Sequence, residues 1–243
     1  MRRAMKTALH ACALSLVITA VVRPMPAAAQ QTINFSIGGF SPRAEDARNG
    51  QDVLVQDRSF LLFNVSDLNG ATIGGEWLIG LGNNFDAGLG IGFYQHTALA
   101  ADRFNEFQGT GDPILADLKL RVVPFNATFR WLPLGRHGAI QPYVGGGVGV
   151  FGWRYSETGD FVADDNVTII HGNFVGSGSA TGPVVVGGLR VPLGSWSIGG
   201  ELKYQSAVGE LPSNQGFATA PGSSVAKIDL GGLTYSFTFG VRF

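Results

Sequence analysis

From Gly232 to Phe243 the chain alternates without a break. Leu233, Tyr235, Phe237, Phe239, Val241 and Phe243 are apolar, and Gly232, Thr234, Ser236, Thr238, Gly240 and Arg242 between them are small or polar. Successive side chains of a β-strand point to opposite faces, so this segment is a strand with one wholly dry side. A helix would scatter the same residues around its circumference. Few folds accommodate a strand whose every outward step is large and apolar.

The period of two recurs along the chain. Ile33, Phe35 and Ile37 alternate with Asn34, Ser36 and Gly38. Ile73, Trp77, Ile79 and Leu81 oppose Thr72, Gly74, Glu76 and Gly80. Ala87, Leu89, Ile91 and Phe93 alternate with Gly88, Gly90 and Gly92. Val123, Phe125, Ala127, Phe129 and Trp131 oppose Asn126, Thr128 and Arg130, with Pro124 predicting a bulge. Val144, Val148 and Val150 oppose Tyr143, Gly145, Gly147 and Gly149. Val185, Leu189 and Val191 oppose Gly188 and Arg190. Trp196, Ile198, Leu202 and Tyr204 alternate with Ser197, Gly199, Glu201 and Lys203. With the last segment these make eight strands.

Composition agrees. Glycine supplies 36 of the 243 residues. It costs about 1 kcal/mol at each helix-interior position, which argues against a mostly helical chain. No G-X-Y period runs through the sequence, so it is not collagen. With 45% hydrophobic and 14% charged residues, the chain is not of the disordered class.

The connections between strands alternate in length. Those near Gly82–Asp86, Pro133–Ala139 and Pro192–Gly194 are short. Those near Ser41–Gly70, Thr97–Asp117, Ser156–Gly182 and Ala207–Ala226 are long. Both ends of the meander then fall at the short-turn end. Membrane barrels have short periplasmic turns and long external loops, and a soluble sandwich has no reason to gather its long loops at one end. The expected fold is therefore an all-β, eight-stranded, antiparallel, up-and-down transmembrane β-barrel over residues 30–243. The polar-face charges Glu76, Arg130, Arg190, Glu201, Lys203 and Arg242 would point into its lumen. Charges on the lipid face at midplane would cost about 2–4 kcal/mol each.

The first 29 residues read as a cleaved secretory signal. Arg2, Arg3 and Lys6 precede the apolar run Ala11–Val22, and Ala27 and Ala29 supply the small residues of a cleavage site. A run of that length is too short to span a bilayer as a helix, which takes about 20 residues. Cys12, the single cysteine, lies inside this segment, so a mature chain from Gln30 has no thiol for disulfides or metal. Removal of the segment's four basic residues takes the formal net charge from −1 to −5, which argues against nucleic acid as a partner.

On the signal, the eight alternating strands and the aromatic final strand, the chain resembles small outer-membrane β-barrel proteins of the OmpA/OmpW-like, porin-family type. The resemblance covers essentially all of 30–243. It implies a Gram-negative-type cell envelope, with outer-membrane lipid and lipopolysaccharide around the barrel and a monomeric state. It also implies that Tyr235, Phe237, Phe239, Val241 and Phe243 are read by the barrel-assembly machinery. With the sequence ending at Phe243, the peptidoglycan-binding domain of larger relatives is not expected.

Several features are candidates for function. The lumen charges are either a switchable ionic gate or a static salt-bridge core, with Arg190 and Glu201 expected to pair. The glycines 88, 90, 92 and 145, 147, 149 either leave a slot for a hydrophobic solute or relieve crowding where the barrel curves. The four long loops are each net acidic. Asp160, Asp164 and Asp165 lack the ligand spacing of a calcium loop, so no metal and no cofactor is expected. Lys119, Arg121 and Arg154 near the outer strand ends would meet lipopolysaccharide phosphates or anchor the strands. Trp131, Trp196 and Phe243 at one end, and Phe93, Trp153, Tyr155 and Tyr204 at the other, are expected in interface girdles.

Enzyme chemistry finds no support. His96, His137 and His171 lack the serine two residues away that barrel-type lipid acyl hydrolases carry, and no HExxH, GxSxG or phosphate-loop pattern occurs. The expected function is a structural or surface-interaction barrel or a narrow passive conduit for small solutes. The alternatives are a loop-borne adhesin or receptor and a lipid-modifying enzyme.

Overall fold

A computed structural model describes residues 30–163 and 168–243. The expected export signal, with Ala27 and Ala29, and the Asp164–Asp165 pair lie outside the described residues. The strands are β1 (Gln31–Pro42), β2 (Leu61–Leu62), β3 (Gly70–Leu81), β4 (Phe85–Glu106), β5 (Pro113–Trp131) and β6 (Gln141–Val162). They continue with β7 (Ile169–Leu193), β8 (Trp196–Gln205), β9 (Val208–Glu210), β10 (Lys227–Asp229) and β11 (Gly232–Arg242). One short helix, α1, spans Val53–Asp57.

Eight strands close a ring in the order β1, β3, β4, β5, β6, β7, β8, β11, every pair antiparallel. The seam joins the first and last of them with Phe35 opposite Phe239. Gln31 and Phe243 exchange backbone hydrogen bonds of 3.1 and 3.0 Å at its foot. The turns at this end are tight because Gly82 and Gly194 take φ of 72° and 67°, where an L side chain is strained.

Each ring strand sends apolar side chains outward: Ile37, Ile73, Leu89, Phe125, Val148, Val185, Leu202 and Phe237 are all exposed. Such a continuous belt has no place in water. In a bilayer it is the dry wall of a ring whose backbone groups are satisfied internally. The molecule is therefore a transmembrane β-barrel.

Above the belt the solvent preference of the wall inverts. The row Gln95, Arg121, Arg154 and Ser177 runs across β4, β5, β6 and β7, and Gln95, Arg121 and Arg154 are exposed on its outer side. Inside, Leu118, Leu120, Val122, Phe151, Trp153 and Tyr155 form an apolar core. The segments 43–69 and 206–231 fill this upper barrel with Val53, Leu54, Leu68, Ile228 and Leu230. Polar ties fix that filling. Asp52 caps α1 by accepting from the Leu54 amide at 3.0 Å and pairs with Arg48 at 2.9 Å, and Arg43 reaches Asp229 at 2.8 Å.

Three sequence expectations are corrected here. Thr97–Asp117 and Ser156–Gly182 are mostly strand, because β4–β5 and β6–β7 continue as hairpins well above the belt. Pro124 makes no bulge. The β4–β5 register is the same at Tyr94–Val122 and Ile91–Phe125, and the unpaired step between them spares a ring nitrogen that has no proton to give. Trp153 and Tyr155 are buried rather than in an outer girdle, since odd-numbered residues of β6 face inward. Phe93 and Tyr204 do lie exposed at that level.

Candidate functional site in the barrel lumen

The polar faces of the strands converge inside the lower barrel. Glu76, Arg130, Arg190, Glu201, Lys203 and Arg242 occupy the inward parity of β3, β5, β7, β8 and β11. Arg130 is at the centre, 0% exposed. Its Nη2 donates to both Glu76 oxygens at 2.6 Å and to Glu201 Oε2 at 2.9 Å. Lys203 Nζ lies 3.1 Å from Glu201 Oε1, and the Tyr143 hydroxyl donates to Glu201 Oε2 at 3.0 Å. The Tyr143 ring lies 4.7 Å from the Arg130 guanidinium carbon. Two carboxylates thus meet two cations and a phenol in a neutral knot. That charge balance offsets the desolvation of the buried ions, while Arg130 Nε and Nη1 have no acceptor among the described residues.

Arg190 does not pair with Glu201 as expected. Gly188, not Arg190, is opposite Glu201 in the β7–β8 register, and both Arg190 Nη atoms lie 3.3 Å from Asp86 on β4. Asp86 also receives Arg136 from the turn between β5 and β6. Arg242 donates to Gln141 Oε1 at 3.0 Å, and Gln141 donates in turn to the Arg136 carbonyl. Six expected residues therefore split between two layers. Glu76, Arg130, Glu201 and Lys203 form the knot. Arg190 and Arg242 join a mouth layer with Asp86, Arg136 and Gln141, which sequence reasoning had not singled out. Asp86 shares parity with Gly88, Gly90 and Gly92, so one further step of the same alternation reveals it. Arg136 sits in a turn, where no periodicity applies.

The glycine slot does not form. A side chain at Gly88 would meet Glu76, Thr128 and Leu78, and one at Gly149 would meet Asn126 and the Phe151 ring. Gly145 and Gly147 lie against β5 carbonyls too closely for a Cβ. Side chains fill the space beside Gly88 and Gly149, and backbone fills that beside Gly145 and Gly147. What remains is a polar cavity of ≈ 40 Å³ lined in part by Ser36, Glu76, Asn126, Lys203 and Ser236, enough for about one ordered water.

A second buried cluster lies above the belt. Tyr155 donates to Asp57 Oδ2 at 3.1 Å, and Glu157 is the next inward residue on β6. Asp57 and Glu157 are 0% and 3% exposed. Burial, together with the charge of Glu157, holds the Asp57 carboxyl well above the usual carboxylate range. Burial pushes Glu157 up to about 7. Among the described residues, no group of three or more His, Cys, Asp or Glu is placed to hold a metal ion.

A closed ring with a lipid-facing belt, a filled charged lumen and a packed loop end defines the class: a small transmembrane β-barrel. Solved structures similar to it include a major outer membrane protein from Thermus thermophilus, at 12% identity over 89% of this chain and 100% of that one, with a TM-score of 0.47. Ail, the attachment invasion locus protein of Yersinia pestis, was solved in complex with the heparin analogue sucrose octasulfate. It is 13% identical over 88% of this chain and 99% of that one, with a TM-score of 0.43. The N-terminal barrel domain of Pseudomonas aeruginosa OprF is 10% identical over 88% and 97%, with a TM-score of 0.42. No family model matches the chain, and no curated protein matches it in sequence.

Proposed function

We propose that the chain is a monomeric outer-membrane barrel, exported by the signal in 1–29, with a structural and surface-interaction role and no catalytic one. One observation carries this reading: the lumen is filled twice over. The Arg130 knot occupies its lower section, and the core around Leu54, Leu118 and Phe151 occupies the upper one. A narrow conduit would need both to move. The work then falls to the surfaces at the two ends and to the wall.

The outer wall suits a lipopolysaccharide environment. Arg121 and Arg154 are directly opposite one another on β5 and β6, and Lys119 is the next outward residue on β5. Like charges so placed repel, and lipid phosphates at the rim of the belt relieve that repulsion. Along β11, down to the foot of the wall, Tyr235, Phe237, Phe239, Val241 and Phe243 present the outward, mostly aromatic face suited to the assembly machinery. A loop-borne adhesin or receptor role is favoured by Leu99 and Phe104, which are exposed on the projecting β4–β5 hairpin.

Planar-bilayer recording of the refolded protein tests the reading. The expected result is a silent bilayer across the usual voltage range. Stable unitary openings that change with Arg130→Ala would establish the conduit instead.

A further inference from the structure

We infer that the short-turn end of the barrel holds a binding site for a phosphate-class oxyanion, built by Arg136, Arg190 and Arg242. The inference concerns the mouth layer alone and does not depend on which membrane the barrel occupies.

The first support is charge. Arg136 and Arg190 share a single carboxylate, Asp86, and Arg242 has a neutral amide, Gln141, as its side-chain partner. The nearest other lumen acids, Glu76 and Glu201, are already matched by Arg130 and Lys203. Among the side chains of the layer, three guanidiniums against one carboxylate leave an excess of two positive charges. The side chains of Arg136 and Arg190 are only 9% and 5% exposed, so water does not simply dissipate that excess. Desolvated cations require partners.

The second support is hydrogen bonding. Nε of Arg136 and Nε of Arg242 are buried donors without an acceptor among the described residues. Buried donors are normally satisfied, so orphans beside an uncompensated charge point to a missing acceptor. The third support is the way the fold makes room. Gly80 on β3 lies against the Arg136 guanidinium, and any Cβ there would collide with it. The guanidinium is thereby laid over bare backbone next to Asp86, with its Nη2 also donating to the Phe85 carbonyl at 2.7 Å. Guanidinium forks match the oxygens of phosphate in pairs, which distinguishes this site from a point charge. Arg242 is only partly buried, so an anion reaches the layer from its side.

The shared chemistry is a phosphate group, supplied either free or as a phospholipid headgroup at the adjacent leaflet. The detergent-solubilised full chain, titrated calorimetrically with inorganic phosphate at matched ionic strength against chloride, tests the site. Saturable heat and a raised unfolding temperature are expected. Arg136→Gln and Arg242→Gln should each weaken phosphate at least tenfold, while Arg103→Gln, exposed near the far end of β4, leaves it unchanged. A second arm uses native mass spectrometry after extraction from phosphatidylglycerol vesicles. Retained lipid that free phosphate displaces identifies the headgroup as the source, and phosphate binding without retained lipid identifies the free anion. Should the mouth variants fail to fold, the wild-type titration decides alone. The absence of any saturable phosphate effect together with no retained lipid, or binding indifferent to both variants, overturns the proposal.

Discussion

Single residues carry their charge state out of the environment that buries them, and Glu157 is the clearest case. Its carboxyl lies above the lipid belt beside Asp57 and Tyr155, and burial rather than any neighbouring cation sets its titration. In the unfolded chain it titrates near the usual 4.5, and in the folded protein near about 7. The folded state therefore binds this proton more tightly. Its contribution to stability is complete below about pH 4.5 and is lost as pH rises through about 7, an effect on the order of 3 kcal/mol. Unfolding temperature should fall from pH 5 to pH 8, and Glu157→Gln should reduce that slope, leaving the part that the raised Asp57 carboxyl contributes. An unchanged slope in the variant would assign the pH dependence elsewhere. The same residue shows the reach of sequence reading. Glu76, Arg130 and Glu201 were legible as lumen charges because parity alone orients them. The burial of Glu157 was not legible, because it depends on α1 folding back over it from a segment far earlier in the chain.

At the scale of the element, β5 shows why eight strands were readable but their lengths were not. Below Val123 the outward, odd-numbered residues are apolar, and above it the inward, even-numbered ones are. The strand runs straight through, while its dry face changes sides as the surroundings change from lipid to water. A reading that follows one apolar face loses the strand at that crossing and records a loop. The energetic consequence also differs by level. Leu118 is buried in the upper core, so Leu118→Ala should cost about 2–5 kcal/mol in denaturant unfolding. The adjacent outward Asp117→Ala should stay within about 0.5 kcal/mol. Equal costs would mean that the segments 43–69 and 206–231 do not pack against the wall as described.

The whole molecule combines two solvation regimes in one cylinder: inverted in the membrane, with apolar side chains outward and charges within, and conventional above it. The ring's closed backbone resists detergent while boiling opens it. Unheated protein should therefore migrate differently from boiled protein in a denaturing gel, and identical mobility would be inconsistent with a closed barrel. The pairing of β1 with β11 has a consequence for the order of assembly. The two strands that complete the circle are separated by nearly the whole described chain, so the entropy of joining them falls on the final event. Until then the nascent sheet carries two raw borders, each able to recruit a stranger's strand. Closure is thus also the step that ends the molecule's capacity to polymerise, and the cell has reason to chaperone it up to that moment and no further.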